Sequence, residues 1–297
     1  MKLANFVLGG ESHFAMLTDK GLLDLSVSGE TGTAKSLPDA LNSWDESLAE
    51  LVRLEKSLAT WAGAPPLRPK SGVKFLPPVF SPSKILLIFV NYKSHGQEVG
   101  SAPSEPVFFF KHSHSIVGDG DDVIVPKFSA KPDHEVELGV VIGKRGKSIK
   151  PSEAYDHVAG YTVVNDVSFR DGMKRGVEGT VLGRNLFKGK VADTALPMGP
   201  WLVTADEVGE PYPLRLTLRV NGEVRQDGTT DDMIFRIPEL IANASEDNTL
   251  LPGDIIATGT PSGVGLYTGK FLNDRDAMEA EVERIGTLRN TVRFQKP

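Results

Sequence analysis

Nine residues, His134 to Ile142, constrain this chain more than any others. Val136, Leu138, Val140 and Ile142 alternate with the remaining positions, so they share one face of a strand, and Glu135 and Glu137 share the other. The apolar face anchors in a core. The two carboxylates stand about 7 Å apart along the backbone, where they repel each other unless a cation lies between them. A third acid, Asp166, interrupts the apolar segment Tyr161-Thr162-Val163-Val164-Asn165-Asp166-Val167 near its end. A neighbouring strand would bring it beside the glutamates. Three hard oxygen ligands in a chain without cysteine favour Mg²⁺, Mn²⁺ or Ca²⁺ over zinc. The competing reading, and the commoner one for an isolated E-x-E, is a solvated face on a half-buried strand.

The surroundings are strand-rich. Ile85 to Val90 is an apolar run of strand length, and Val123-Ile124-Val125 is another. Leu214, Leu216, Leu218 and Val220 alternate with polar residues before Asn221-Gly222, a strong hairpin signal. Pro238 to Ser245 reads as a helix, and Asp254 to Thr258 and Glu279 to Ile285 as strands. The N-terminal third differs. Residues 3 to 27 read as short strands broken at Gly9-Gly10 and Asp19-Lys20-Gly21. From Leu41 to Trp61 apolar residues recur at helical spacing, with Ser43 and Glu46 as a capping box and Ala64-Pro65-Pro66 as the stop. The proline-rich stretch from Pro65 to Pro82 reads as a linker. The expectation is an α+β fold with a small N-terminal domain over residues 1–75 and a strand-rich catalytic domain over 76–297.

A net charge of -6 leaves no basic footprint for nucleic acid, although a bound metal can still attract a small anion. The absence of cysteine removes disulfides, thiolate metal sites and a catalytic thiol together. No run approaches the about 18 apolar residues of a membrane span, and the N-terminus meets Gly9-Gly10 too early for a signal peptide. A soluble cytoplasmic protein is expected.

Directly after the Ile85–Val90 run comes Asn91-Tyr92-Lys93-Ser94-His95-Gly96-Gln97-Glu98. On one helical turn His95 and Glu98 face the same way, and a carboxylate beside an imidazole fixes its tautomer and raises its basicity. Such a pair suits a base that activates water. With Gly96 inside it and a polar Gly100–Pro106 run behind it, the segment reads as a lid over substrate. An incidental His–Glu pair on a surface helix is the alternative.

The order of these motifs resembles the fumarylacetoacetate hydrolase family along essentially the whole chain. Asn91-Tyr92 with His95 and Glu98 is similar to that family's lid. Phe109-Phe110-Lys111 followed by Gly118-Asp119-Gly120-Asp121 resembles its F-F-K…G-x-G-D segment. Asp133-His134-Glu135-Val136-Glu137-Leu138 resembles its metal-binding strand, and Asn165-Asp166-Val167-Ser168-Phe169-Arg170-Asp171 its N-D-V-T-A-R-D motif. Gly189-Lys190-Val191-Ala192-Asp193 and Pro252 to Gly265 complete the set.

The resemblance implies a mixed β-sandwich or β-roll catalytic domain, commonly a homodimer, that binds Mg²⁺ or Mn²⁺ through Glu135, Glu137 and Asp166. It implies His95 and Glu98 as the water-activating pair and Lys190 as the cation for an oxyanion or a substrate carboxylate. Arg170, Thr260 and Lys111 are the implied substrate-binding residues, although Arg170 is equally readable as a structural ion pair and Lys190 as a surface lysine. The implied reaction is hydrolytic cleavage of a C–C bond in a 2,4-diketo acid such as an acylpyruvate. Oxaloacetate decarboxylation, or hydration or isomerisation of a 2-oxo-enoic acid, is the alternative on the same site. A non-catalytic metal-binding protein is the remaining reading, opposed by the intact residue set. The chain departs from the family pattern at His112, Phe169, Gly172-Met173 and Val191-Ala192. All four are expected to line the substrate pocket.

Overall fold

The computed structural model describes residues 1–26, 34–58, 67–174 and 185–296. The alternating segment forms the Val136–Ile142 strand, antiparallel to Val158–Asn165 on one side and to Ile255–Ala257 on the other. The sheet continues from Val158–Asn165 through Leu196–Thr204 to the N-terminal strands Lys2–Leu8, Glu11–Thr18 and Gly21–Asp24. In the other direction it continues through Ile85–Ile88 to Phe108–Phe110. A second sheet orders Glu223–Thr229, Arg215–Val220, Ala277–Val282, Gly286–Phe294 and Asp122–Val125, and packs against the first. This is the strand-rich α+β architecture expected from the sequence.

Both faces of the Val136–Ile142 strand are covered. Val136, Leu138, Val140 and Ile142 enter the core between the sheets with Leu216, Leu218, Ala280 and Val292. Val141 enters a second core beside Leu37, Leu41, Trp44 and Leu51 from the N-terminal helices. Face assignment therefore follows the alternation, but the solvated-face alternative fails: Glu135 is 6% exposed and Glu137 1%.

The Asn221-Gly222 turn joins Arg215–Val220 to Glu223–Thr229, with φ of 51° and 81° at its two central residues. Both lie in the left-handed region that this dipeptide tolerates. The Gly118–Asp121 turn precedes Asp122–Val125, and Gly118 N–H donates to Asp121 Oδ2 at 2.8 Å.

Three readings of the sequence change. The periodic stretch from Leu41 is two helices. Leu37–Asn42 begins at Ser36, whose hydroxyl accepts from Asp39 N–H at 3.2 Å, and Trp44–Leu58 follows after a break at Ser43. Ser43 closes the first helix and its hydroxyl meets that of Ser47 at 3.2 Å, where a capping box with Glu46 was expected. Trp61 and Ala64-Pro65-Pro66 lie outside the described residues, as does Val27. From Leu67 the expected linker contributes strand: Leu67–Arg68 pairs with Gly21–Asp24, and Lys74–Phe75 with Lys2–Leu8. The expected Glu279–Ile285 strand ends at Val282, and Gly286 opens a further strand to Phe294. Its inward face carries the buried polar Asn290 between Leu288 and Val292, which hides the alternation. No helix among the described residues is long and apolar enough to cross a membrane.

Asn91 holds the start of the His95 segment to the body of the fold. It is fully buried, its Nδ2 donates to Thr258 O at 2.8 Å and Phe235 O at 3.0 Å, and its Oδ1 accepts from Phe235 N–H at 2.8 Å. Asn91→Ala strands these backbone groups out of reach of water. The expected loss is about 1–3 kcal/mol of unfolding free energy, read from the urea midpoint.

Candidate active site

Antiparallel pairing assembles the acidic cluster. Val136 pairs with Asn165 and Glu137 with Val164, so Asp166 emerges from its strand opposite Glu135. Two bonds fix that junction: Asp166 N–H to Glu135 O at 2.8 Å, and Glu135 N–H to Asn165 Oδ1 at 2.9 Å. Carboxylate oxygens of Glu135, Glu137 and Asp166 lie within 4.8 Å of one another, and all three residues are buried. The separation along one strand is bridged by the third acid from its neighbour.

The three carboxylates have unequal surroundings. Lys190 Nζ donates to Glu135 Oε2 at 2.6 Å and also to Asp166 Oδ2, and Arg170 donates to Glu135 Oε1. Burial alone would raise the Glu135 pKa, but Lys190 and Arg170 outweigh it and hold the carboxyl well below its usual range. Glu137 has no such neighbour pair. Burial, then Asp166 and Glu135, push it well above the usual range, against the Lys190 charge and a single N–H from Gly259 at 2.8 Å. A hard dication among these oxygens removes that penalty, so the donor set fits Mg²⁺ or Mn²⁺. Asp133, Glu135, Glu137 and Asp166 together exceed Lys111, Arg170 and Lys190 by one negative charge when all are ionised. A dication reverses the sign, which favours an anionic substrate.

Gly259 can approach Glu137 only because it lacks a side chain. Its φ is +86°, and a Cβ would stand 2.9 Å from that of Asn91. The same loop carries Thr260, whose hydroxyl donates to Val136 O and accepts from Gln226 Nε2, both at 2.8 Å. With the hydroxyl engaged in this way, a substrate contact from Thr260 falls to its backbone.

The helix that carries His95 and Glu98 is Lys93–Val99. His95 Nδ1 lies 3.0 Å from Glu98 Oε2, as the spacing implied, and the other Glu98 oxygen accepts from Gly263 N–H at 2.8 Å. One carboxylate thereby ties the imidazole to the Thr260 loop. His95, Glu135, Glu137, Arg170, Lys190 and Thr260 line one pocket, with Phe109, Met173, Leu186, Leu266 and Tyr267 on its apolar walls.

Lys111 departs from its expected place. Its side chain is fully buried, with Nζ 2.6 Å from Asp166 Oδ1, 2.8 Å from Val167 O and 2.5 Å from Ala195 O. It therefore braces Asp166 from behind, and is not a wall of the cavity. Burial lowers its pKa and Asp166 opposes that shift. Of the four departures from the motif, only Met173 lines the cavity. Phe169 is buried against Phe128, His112 is exposed, and Val191 and Ala192 are half-buried away from it.

Sequence reasoning missed the groups that orient these residues. Asp133, fully buried, accepts from Arg170 Nε at 2.7 Å, His134 N–H at 2.9 Å, Gly265 N–H at 2.6 Å and Leu266 N–H at 2.9 Å. Gln226 accepts from Val136 N–H at 3.0 Å while donating to Thr260 Oγ1 and Pro261 O. Val136 stands between two metal-ligand candidates, so Gln226 helps set their spacing. The only advance signal was the position of Asp133 two residues before Glu135.

Comparison with known proteins follows the same residues. The family description Fumarylacetoacetate (FAA) hydrolase C-terminal matches residues 84–293. The chain is 42% identical over 275 residues to the human mitochondrial oxaloacetate tautomerase FAHD2A, covering 89% of this chain and 86% of that one. It is 40% identical over 291 residues to the oxaloacetate tautomerase YisK of Bacillus subtilis, covering 93% and 94%. Among solved structures, maleylpyruvate hydrolase from Sphingobium sp. SYK-6, in complex with manganese(II) and pyruvate, superposes with a TM-score of 0.79 at 29% identity, covering 100% of both chains.

Proposed function

Since this chain belongs to the fumarylacetoacetate hydrolase family, we propose that it is a divalent-metal-dependent enzyme that interconverts the keto and enol forms of a 2-oxo acid of the oxaloacetate type. One observation carries the reading: His95, Lys190, Glu135 and Glu137 line a single pocket, with Glu98 bound to His95 and Asp166 completing the acidic triad behind the two glutamates. The extensive similarity to two proteins named oxaloacetate tautomerase supports enolisation ahead of the C–C hydrolysis expected from the motifs.

Glu135, Glu137 and Asp166 would hold the cation, which supplies a Lewis acid for the 2-oxo carbonyl. Glu98 engages Nδ1 of His95, so Nε2 is the nitrogen left to exchange a proton. In the keto-to-enol direction Nε2 takes the proton from C3. The C–H electron pair becomes the C2–C3 π bond, and the carbonyl π pair moves to oxygen. Lys190 Nζ donates a hydrogen bond where that charge develops. A proton from solvent on the oxygen completes the enol while His95 returns its proton to solvent, and the reverse sequence restores the ketone. His95→Ala is expected to lower the metal-dependent rate by about 10²–10⁴-fold, the usual contribution of a positioned general base.

Hydrolysis of a 2,4-diketo acid is the second reading, favoured by the structural likeness to maleylpyruvate hydrolase. There His95 would take its proton from water instead of from C3. Product analysis of the Mn²⁺-loaded protein separates the two. With oxaloacetate, enol absorbance decays faster than with Mn²⁺ alone and no carbon dioxide is released in excess. With acetylpyruvate, no pyruvate forms. Pyruvate from acetylpyruvate without accelerated enol decay would overturn the tautomerase reading, and excess carbon dioxide would replace it with decarboxylation.

A further inference from the structure

We propose that Lys111 sets which cation the acidic triad accepts, favouring Mg²⁺ or Mn²⁺ over Ca²⁺ by keeping one oxygen of Asp166 engaged. The inference rests on the reading of Glu135, Glu137 and Asp166 as metal ligands and adds a selectivity to it. Its basis is the way each carboxylate divides its two oxygens. Arg170 donates to Glu135 Oε1. Gly259 N–H donates to Glu137 Oε2 at 2.8 Å. Lys111 Nζ lies 2.6 Å from Asp166 Oδ1. One oxygen of every triad member is therefore tied to a donor of the protein itself. The other oxygens of Glu135 and Asp166, Oε2 and Oδ2, converge on a single positive group, the Lys190 ammonium.

A carboxylate divided in this way offers a cation one oxygen. Mg²⁺ and Mn²⁺ suit such ligands, because they take octahedral oxygen sites and Mg²⁺ keeps several of its waters. Ca²⁺ takes about six to eight oxygens at longer range and readily draws both oxygens of one carboxylate. To gain the second oxygen of Asp166 it would have to displace a lysine whose three N–H groups are all placed. Besides its contact with Asp166, Lys111 Nζ donates to Val167 O at 2.8 Å and to Ala195 O at 2.5 Å. Of the three braces, Lys111 is the one whose removal isolates the effect. Arg170 also holds Asp133, and the Gly259 donor belongs to the backbone. Loss of the Lys111 charge strengthens the attraction for every dication alike, so the ratio between two dications reports on the freed oxygen.

The test displaces Mn²⁺ from the loaded full chain with Mg²⁺ or Ca²⁺ and follows the paramagnetic resonance signal of the released ion. In the unaltered protein, half-displacement is expected at a lower concentration of Mg²⁺ than of Ca²⁺. Lys111→Met is similar in length and removes the brace. It is expected to raise the affinity for Ca²⁺ relative to Mg²⁺ by about 10–100-fold, the usual scale for a group behind a metal ligand. Should that variant fail to fold, the waters on Mn²⁺ in the unaltered protein, counted by ¹⁷O hyperfine spectroscopy, test the same geometry. One oxygen from each of three carboxylates leaves about three octahedral positions to water. Displacement by Ca²⁺ at an equal or lower concentration than Mg²⁺, a ratio unmoved by folded Lys111→Met, or fewer waters than this would overturn the inference and leave the metal site intact. If the chain takes up no Mn²⁺, the triad is not a metal centre and the inference falls with that reading.

Discussion

Lys190→Met is expected to lower kcat for enol–keto exchange by about 10²–10³-fold, the usual loss when a preorganised donor to a developing oxyanion is removed. Lys190 is 5% exposed and donates to both Glu135 and Asp166. Burial disfavours its ammonium form, yet Asp166 and Glu135 overcome that and hold its pKa above the usual lysine value. Methionine has a similar length and no charge, so it preserves packing against Phe109 while deleting the donor. The effect should fall on kcat more than on KM, because the interaction strengthens as charge reaches the oxygen. Mn²⁺ binding, measured by calorimetry, should be no weaker than in the unaltered protein, since the ammonium competes with the metal for Glu135 and Asp166. A loss confined to Mn²⁺ affinity would assign Lys190 to the metal site alone.

Asp133→Ala carries the largest expected cost in stability. Its carboxylate is fully buried and holds the Arg170 guanidinium together with the first N–H groups of the short helix Gly265–Thr268. Removing it leaves Arg170 buried with Glu135 as its remaining partner among the described ion pairs. Breaking a buried pair in this way costs about 3–5 kcal/mol, read from urea unfolding. Since Arg170 also orients Glu135, Mn²⁺ affinity should fall by about 10–100-fold. A change below about 1 kcal/mol would mean that water replaces Asp133 and that the ion pair is dispensable. Asp133→Asn keeps the shape and should lie between the two.

What the sequence made legible was short-range. Period two put Glu135 and Glu137 on one face, helical spacing put His95 beside Glu98, and Asn221-Gly222 marked its hairpin, because each relation involves neighbours along the chain. The burial of the glutamates was not legible, because it depends on Lys190, Arg170 and the Gly259 loop, which reach them from distant parts of the chain. The supporting bonds were hidden for a similar reason. Asp133 meets Gly265, Gln226 meets Val136, and Asn91 meets Phe235 across 132, 90 and 144 positions respectively. Lys111 shows the limit of a motif. The residue was recognisable, but its contact with Asp166, Val167 and Ala195 behind the cavity follows from the packing of strands distant in sequence. The two helices read as one because Leu41, Trp44 and Leu51 keep a helical period across the Ser43 break.

The most direct test of the account is exchange of the C3 protons of oxaloacetate with deuterium oxide, followed by NMR while Mn²⁺ is titrated into metal-stripped protein. Before metal is added, exchange should run at the rate of buffer alone. Added Mn²⁺ should then give a rise above the Mn²⁺-only background that saturates at one equivalent and is absent from Glu137→Ala. Full exchange activity in the stripped protein, or an undiminished rise in Glu137→Ala, would contradict the assignment of the acidic triad as the metal centre of a 2-oxo acid enzyme.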